Sequence, residues 1–100
     1  FRADDRDFVR SCYEQELGEI ISYDQKHNTE LLLTLERFFE ENCNARHTAD
    51  KLYMHRNTMN NRLRLIFDIL GHDCSDPEKR FAAENAIYCY KYLNMQEEQK

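Results

Sequence analysis

Residues 44–64, NARHTADKLYMHRNTMNNRLR, decide the fold. Ala49, Leu52 and Met54 offer small or apolar contacts, and Met59, Leu63 and Ile66 continue them at helical spacing. Tyr53-Met54-His55 separates the two groups as a three-residue turn. This is the spacing of a helix-turn-helix, a motif whose second helix enters the DNA major groove. At about 100° per residue, Asn57, Asn61 and Arg64 fall roughly opposite the Met59/Leu63/Ile66 stripe, with Asn60 on the flank. An Asn amide can bond adenine bidentately and an Arg guanidinium can do the same to guanine, so this face has the chemistry to read base edges. Asn57, Asn60, Asn61 and Arg64 are therefore expected base contacts, with Arg56 added at the helix start. The competing reading is an ordinary solvated helix face. The preceding helix, the turn and the local charge all favour the first.

That local charge runs against the total. The chain carries a formal net charge of −5. Between residues 44 and 65 stand Arg46, Lys51, Arg56, Arg62 and Arg64 against the single acid Asp50, so the window is +4 and the remainder −9. An acidic body with one basic face implies an oriented phosphate contact rather than general polycation behaviour.

One hundred residues with two Gly and one Pro give one domain with a modest core, and long strands with tight hairpins are not expected. No apolar run of about 18 residues and no signal-peptide pattern occurs, so no membrane contact and a cytoplasmic location are expected. A first residue of Phe rather than Met suggests a piece of a longer protein. Cys12, Cys43, Cys74 and Cys89 stand far apart without a C-x-x-C pair. Zinc ligands are usually paired two to four residues apart, and among Cys43, Cys74, His47 and His72 only His72-x-Cys74 comes close. Free thiols are the better reading, and no metal or cofactor is expected.

Along the chain, Phe8, Val9, Cys12 and Tyr13 predict a first helix over residues 4–15. Leu17, Ile20, Ile21 and Tyr23 predict a short second one after Gly18, to about residue 26. Asn28 is the expected N-cap of a third helix running to about Asn42, with Leu31, Leu32, Leu35, Phe38 and Phe39 inward. Residues 45–52 and 56–70 form the helix-turn-helix pair, and Gly71 is a natural stop. The last helix opens either with a Ser75/Glu78 capping box or with Asp76 as cap and Pro77 in the first position. Its tail, MQEEQK, is polar and expected to fray. The fold class is thus all-α, with five or six helices.

Three runs carry a resemblance: LGEIISYDQKHNTELLLTLERFFEENCN (17–44), TADKLYMHRNTMNNRLRLIFDILG (48–71) and DPEKRFAAENAIYCYKYL (76–93). Together they resemble the C-terminal helix-turn-helix domain of PucR-type bacterial regulators, which include activators of purine catabolism and sugar-diacid regulators. His55 to Thr58, Thr48-Ala49 and Asp76-Pro77-Glu78 are the most specific pieces. The turn and second helix also resemble the Fis-type pattern. The resemblance implies a sequence-specific transcription factor binding double-stranded DNA, commonly a homodimer, with a separate N-terminal sensory region outside this chain. His55, Arg56, Asn57, Thr58 and Arg62 stand where the family motif expects them. Met59, Asn60 and Asn61 replace the family's frequent Leu, Arg and Tyr, so the exposed reading face differs from its relatives. Leu65 and Phe67 are apolar where polar residues are common, which suggests contact with a neighbouring helix or subunit.

DNA-backbone contacts are expected from His55, Thr58 and Arg62 and from Thr48, whose other expected role is to brace the first helix of the pair. Ala49 is small because the two helices cross there. The alternative function is an all-helical docking or oligomerisation module, which should expose apolar residues on the 44–65 face. Enzyme activity is not expected, since no Gly-rich phosphate loop, zinc-protease helix or nucleophile–His–acid set appears.

Overall fold

A computed structural model describes the backbone of residues 3–98 and the side chains of residues 6–95. It contains five helices and, among these residues, no strand: α1 (Ala3–His27), α2 (Leu31–Glu40), α3 (Ala45–Lys51), α4 (Arg56–Leu70) and α5 (Pro77–Glu98). The all-α expectation holds at its five-helix value.

The two helices expected before residue 27 are one. Gly18 lies inside α1, and a Cβ built on it would meet nothing within 4 Å. Gly costs a helix interior only about 1 kcal/mol relative to Ala, and Tyr13, Leu17 and Ile20 bury one continuous stripe across it. Packing therefore overrides the breaker. The same packing leaves Phe8 outside, 69 % exposed, while Val9 joins the core edge.

Asn28 does not cap α2. It adopts φ 53 in the left-handed region, and the helix begins three residues later. The cap comes from α1: Asp24 accepts hydrogen bonds from Leu31 N (2.8 Å) and Leu32 N (3.0 Å), and Thr29 Oγ1 donates to it at 2.6 Å. A carboxylate on these N–H groups also meets the positive end of the helix dipole. Leu31, Leu35, Phe38 and Phe39 are buried as expected, Leu32 is half-buried, and Thr34 is buried among them.

Asn42 (φ 56) and Cys43 (φ 62) turn the chain out of α2, closed by Cys43 N donating to Phe38 O at 2.8 Å. Gly71, at φ 84, ends α4 in the left-handed region where a side chain would be strained. Asp76 opens α5 by accepting from Glu78 N at 3.0 Å, which selects the Asp76–Pro77 start over the capping box. No Gly or Pro interrupts the chain beyond Pro77, and α5 continues through Glu98 into the polar tail. Residues 99 and 100 lie outside the described part.

Leu17 and Ile20 from α1, Leu35 from α2, Met59 and Ile66 from α4 and Leu93 from α5 form the fully buried centre. α1 packs along α5 on one side and against α2 and α4 on another, so it is the hub of the domain. The four cysteines are free thiols, and burial pushes Cys74 up to about 11 and Cys43 and Cys89 in the same direction, which keeps them protonated. Among the described residues no group of three His, Cys, Asp or Glu side chains could hold a metal ion.

Two substitutions check this architecture by urea unfolding. Gly18→Ala should raise stability by about 0.5–1 kcal/mol, because the helix is continuous and the space is open; a loss would mean the chain bends there. Asp24→Ala should cost about 1–2 kcal/mol by uncapping α2, and Asn28→Ala should not reproduce that loss through capping, having no cap to remove.

Candidate nucleic-acid interface

α3 and α4 are built as a pair by their caps. Asn44 precedes α3 in an extended conformation, and its side chain accepts from His47 N at 3.0 Å. Thr48 then folds inward: it is fully buried, and its hydroxyl donates to Asn44 O at 2.7 Å. The expected DNA-backbone contact by Thr48 is corrected here, since a side chain with no exposed surface cannot reach a phosphate. It braces α3 instead. The following turn is Leu52-Tyr53-Met54-His55, one residue longer than expected because α3 stops at Lys51. Tyr53 takes φ 53 and Met54 N donates back to Ala49 O at 2.9 Å. Ala49, buried on α3, and Met59, buried on α4, lie on the sides where the two helices pack together.

His55 is the N-cap of α4, its Nδ1 accepting from Asn57 N at 3.1 Å. The ring hydrogen of a neutral His55 therefore sits on Nε2, which is left to donate outward. First-turn N–H groups have no acceptor within their own helix, so this end of α4 presents donors and a positive dipole. Met59, Leu63 and Ile66 are the buried stripe of α4. Arg56, Asn57, Thr58, Asn60, Asn61 and Arg64 are all exposed, on one broad polar face. Asn60 and Arg64 also rim a shallow open groove floored by Phe38, Leu63 and Phe67.

Arg62 is not part of that face. It sits half-buried beside the apolar stripe and donates from Nη1 to Thr34 Oγ1 at 3.2 Å, while that hydroxyl donates to Glu30 O at 2.9 Å. One N–H of the expected phosphate clamp thus ties α4 to α2. Thr34 escapes sequence reading because a lone Thr inside the Leu31/Leu35/Phe38 stripe reads as a tolerated small residue. Its signal is a polar group at a core position, which needs a partner. Phe67 meets a neighbouring helix, its ring 5.8 Å from that of Phe38, and Leu65 packs half-buried against the core. Arg46 and Lys51 on α3 are exposed, so α3 and α4 present basic side chains together with the polar face of α4.

Two short helices crossing at a small residue, the second capped, amphipathic and polar outward, define a helix-turn-helix domain. Residues 31–88 match the family described as the PucR C-terminal helix-turn-helix domain, and the chain belongs to that family, the DNA-binding part of transcriptional regulators. Three curated relatives from Bacillus subtilis (strain 168) are similar to it. The purine catabolism regulatory protein is 41% identical over 70% of this chain and 13% of its own length. The proline-responsive transcriptional activator PutR is 32% identical over 81% of this chain and 18% of its length. The DNA-binding transcriptional activator AdeR is 33% identical over 69% and 16%. The chain thus spans less than a fifth of each relative. No solved structure matches it.

The Arg62–Thr34 tie has a measurable consequence. In a double-mutant cycle on urea stability, Arg62→Ala and Thr34→Val should couple by about 0.5–1.5 kcal/mol, the range of a net hydrogen bond. A coupling of zero would leave Arg62 with no structural work to do.

Proposed function

We propose that this domain binds double-stranded DNA sequence-specifically, with α4 lying in the major groove. The observation that carries the reading is the face of α4, where every exposed residue from Arg56 to Arg64 is polar or basic while the opposite stripe is buried. A docking face should expose apolar groups between residues 44 and 65; the α4 part carries amides and guanidinium groups, and Tyr53, 98 % exposed in the turn, is the one large apolar-bodied side chain exposed there.

Asn57, Asn60, Asn61 and Arg64 serve as base contacts, with Arg56 reaching a base edge or phosphate near the helix start. His55 Nε2 and the Thr58 hydroxyl, beside the free N–H groups of the first turn, take backbone phosphates. Arg62, half-buried and tied to Thr34 by one N–H, takes a backbone phosphate with its remaining donors and also holds the position of α4. The acidic remainder of the chain keeps phosphate away from the other faces, so charge orients the encounter. The domain works in the cytoplasm as part of a longer regulator with an N-terminal sensory region, a reading supported by its spanning less than a fifth of each relative. That regulator is a homodimer, in which two copies of α4 engage half-sites about one helical turn apart.

Selection of bound sequences from random duplex DNA supplies the test site. With roughly four phosphate contacts, affinity should fall about a hundredfold between 50 and 200 mM salt on specific and random duplexes alike; a flat salt response would sink the reading. Asn57→Ala should cost about 1–3 kcal/mol on the selected site and much less on random DNA, since it removes an amide without changing charge. Equal losses on both duplexes would move Asn57 to the phosphate contacts, and no loss on either would return it to the solvated surface.

A further inference from the structure

Helix α5 has two faces that bury or offer apolar groups. One carries Ala83, Ala86, Ile87 and Leu93, all buried within the domain. The other points outward and carries Phe81, Asn85, Tyr88, Tyr92 and Met95. Phe81 is 69 %, Tyr88 72 %, Tyr92 44 % and Met95 57 % exposed, and Asn85 is exposed as well. Their spacing is four, three, four, three: the alternation of d and a positions in a heptad seam, where apolar groups recur every 3.5 residues to meet another helix. The one polar member, Asn85, falls at an a position and is exposed like its neighbours. A recess floored by Phe39 and Ile87, between α2 and α5, opens beside Tyr88 and offers a hole for an incoming side chain.

The first four members, Phe81, Asn85, Tyr88 and Tyr92, are spaced four, three, four and so match themselves when run backwards, while Met95 falls beyond them, opposite Glu78 of the second copy. Antiparallel pairing sets Phe81 against the partner's Tyr92 and Asn85 against the partner's Tyr88, each contact occurring twice about a two-fold axis. It also brings Glu84 near the partner's Lys91, the two flanking charges on one side of the seam. Within the chain Glu84 is bonded by Arg80 and Lys91 bonds Glu36, each at 2.6 Å, and both keep solvent-facing surface for a second ion. A foreign helix has no reason to match this pattern, whereas a second copy matches it by symmetry. Among the described residues no α-carbon of α4 comes within 8 Å of one of α5, while both helices pack against α1, so covering the outer face of α5 leaves the polar face of α4 open.

We propose that the outer face of α5 is a self-association surface, pairing antiparallel with α5 of a second copy of this chain. The proposal rests on the paired half-site arrangement and deepens it by naming the surface that pairs. Its test contains no DNA, so failure here leaves the reading of α4 standing, and failure of DNA binding leaves this one.

Sedimentation equilibrium of the 12.1 kDa chain across a wide concentration range should show reversible dimerisation. Phe81→Glu/Tyr88→Glu should weaken it by about tenfold or more with unchanged helical circular dichroism, since both side chains lie outside the core; Tyr88→Ser serves as a milder second variant. Glu84→Lys should weaken dimerisation by about threefold, and Glu84→Lys/Lys91→Glu should restore it. A chain that stays monomeric at millimolar concentration would overturn the proposal, as would Glu variants that dimerise like the parent. A charge swap that fails to restore what Glu84→Lys removes would overturn the antiparallel register.

Discussion

Met59 and Ile66 are buried without residual exposure and Leu63 nearly so, which leaves α4 a single rotation about its axis at which its apolar stripe leaves water. Burial of such side chains contributes about 1.5–3 kcal/mol each, and a slip of one residue would turn the helix by about 100° and expose all three. That cost selects which side chains face outward. The amides of Asn57 and Asn61 are presented because three apolar neighbours cannot be. The pairing of α3 with α4, the crossing at Ala49 and the His55 cap all assume this rotation, and the Arg62–Thr34 bond holds it from the side.

Charge and packing divide the labour in this chain. The core fixes geometry, and the basic residues of α3 and α4 stand on a chain whose remainder is net acidic. Half-buried, the Arg62 guanidinium keeps its charge in that basic region while one of its N–H groups holds Thr34. A residue in a family motif can thus also serve to align the helix it stands on.

The helix-turn-helix is legible because its signals are local: the α4 stripe, the cap at His55 and the Gly71 stop each lie within a few residues of the feature they set. What sequence reading loses is non-local or energetic. Gly18 looks like a boundary because propensity is a local quantity, while the packing of Leu17 and Ile20 that overrides it comes from other helices. Asn28 looks like a cap because Asn is a good one, yet the carboxylate of Asp24 reaches α2 from the preceding helix and takes its place. Thr48 points to phosphate on residue type, yet it is fully buried, and Arg62, expected there also from the family motif, is half-buried with one N–H on Thr34. Burial, which decides whether a hydroxyl or guanidinium can reach solvent, depends on helices distant in sequence.

The Asp24 cap bears on how such a domain can be moved between proteins. The family match begins at Leu31, the first residue of α2, so a segment cut at that boundary would omit α1 altogether. It would start α2 without the carboxylate that satisfies its first N–H groups, and it would strip Leu17 and Ile20 from the centre that α4 packs into. The transferable unit is therefore larger than the family motif. A fusion that grafts this domain onto another protein has to carry α1 with it, and the junction belongs before the buried stripe that begins at Tyr13 rather than at the edge of the motif.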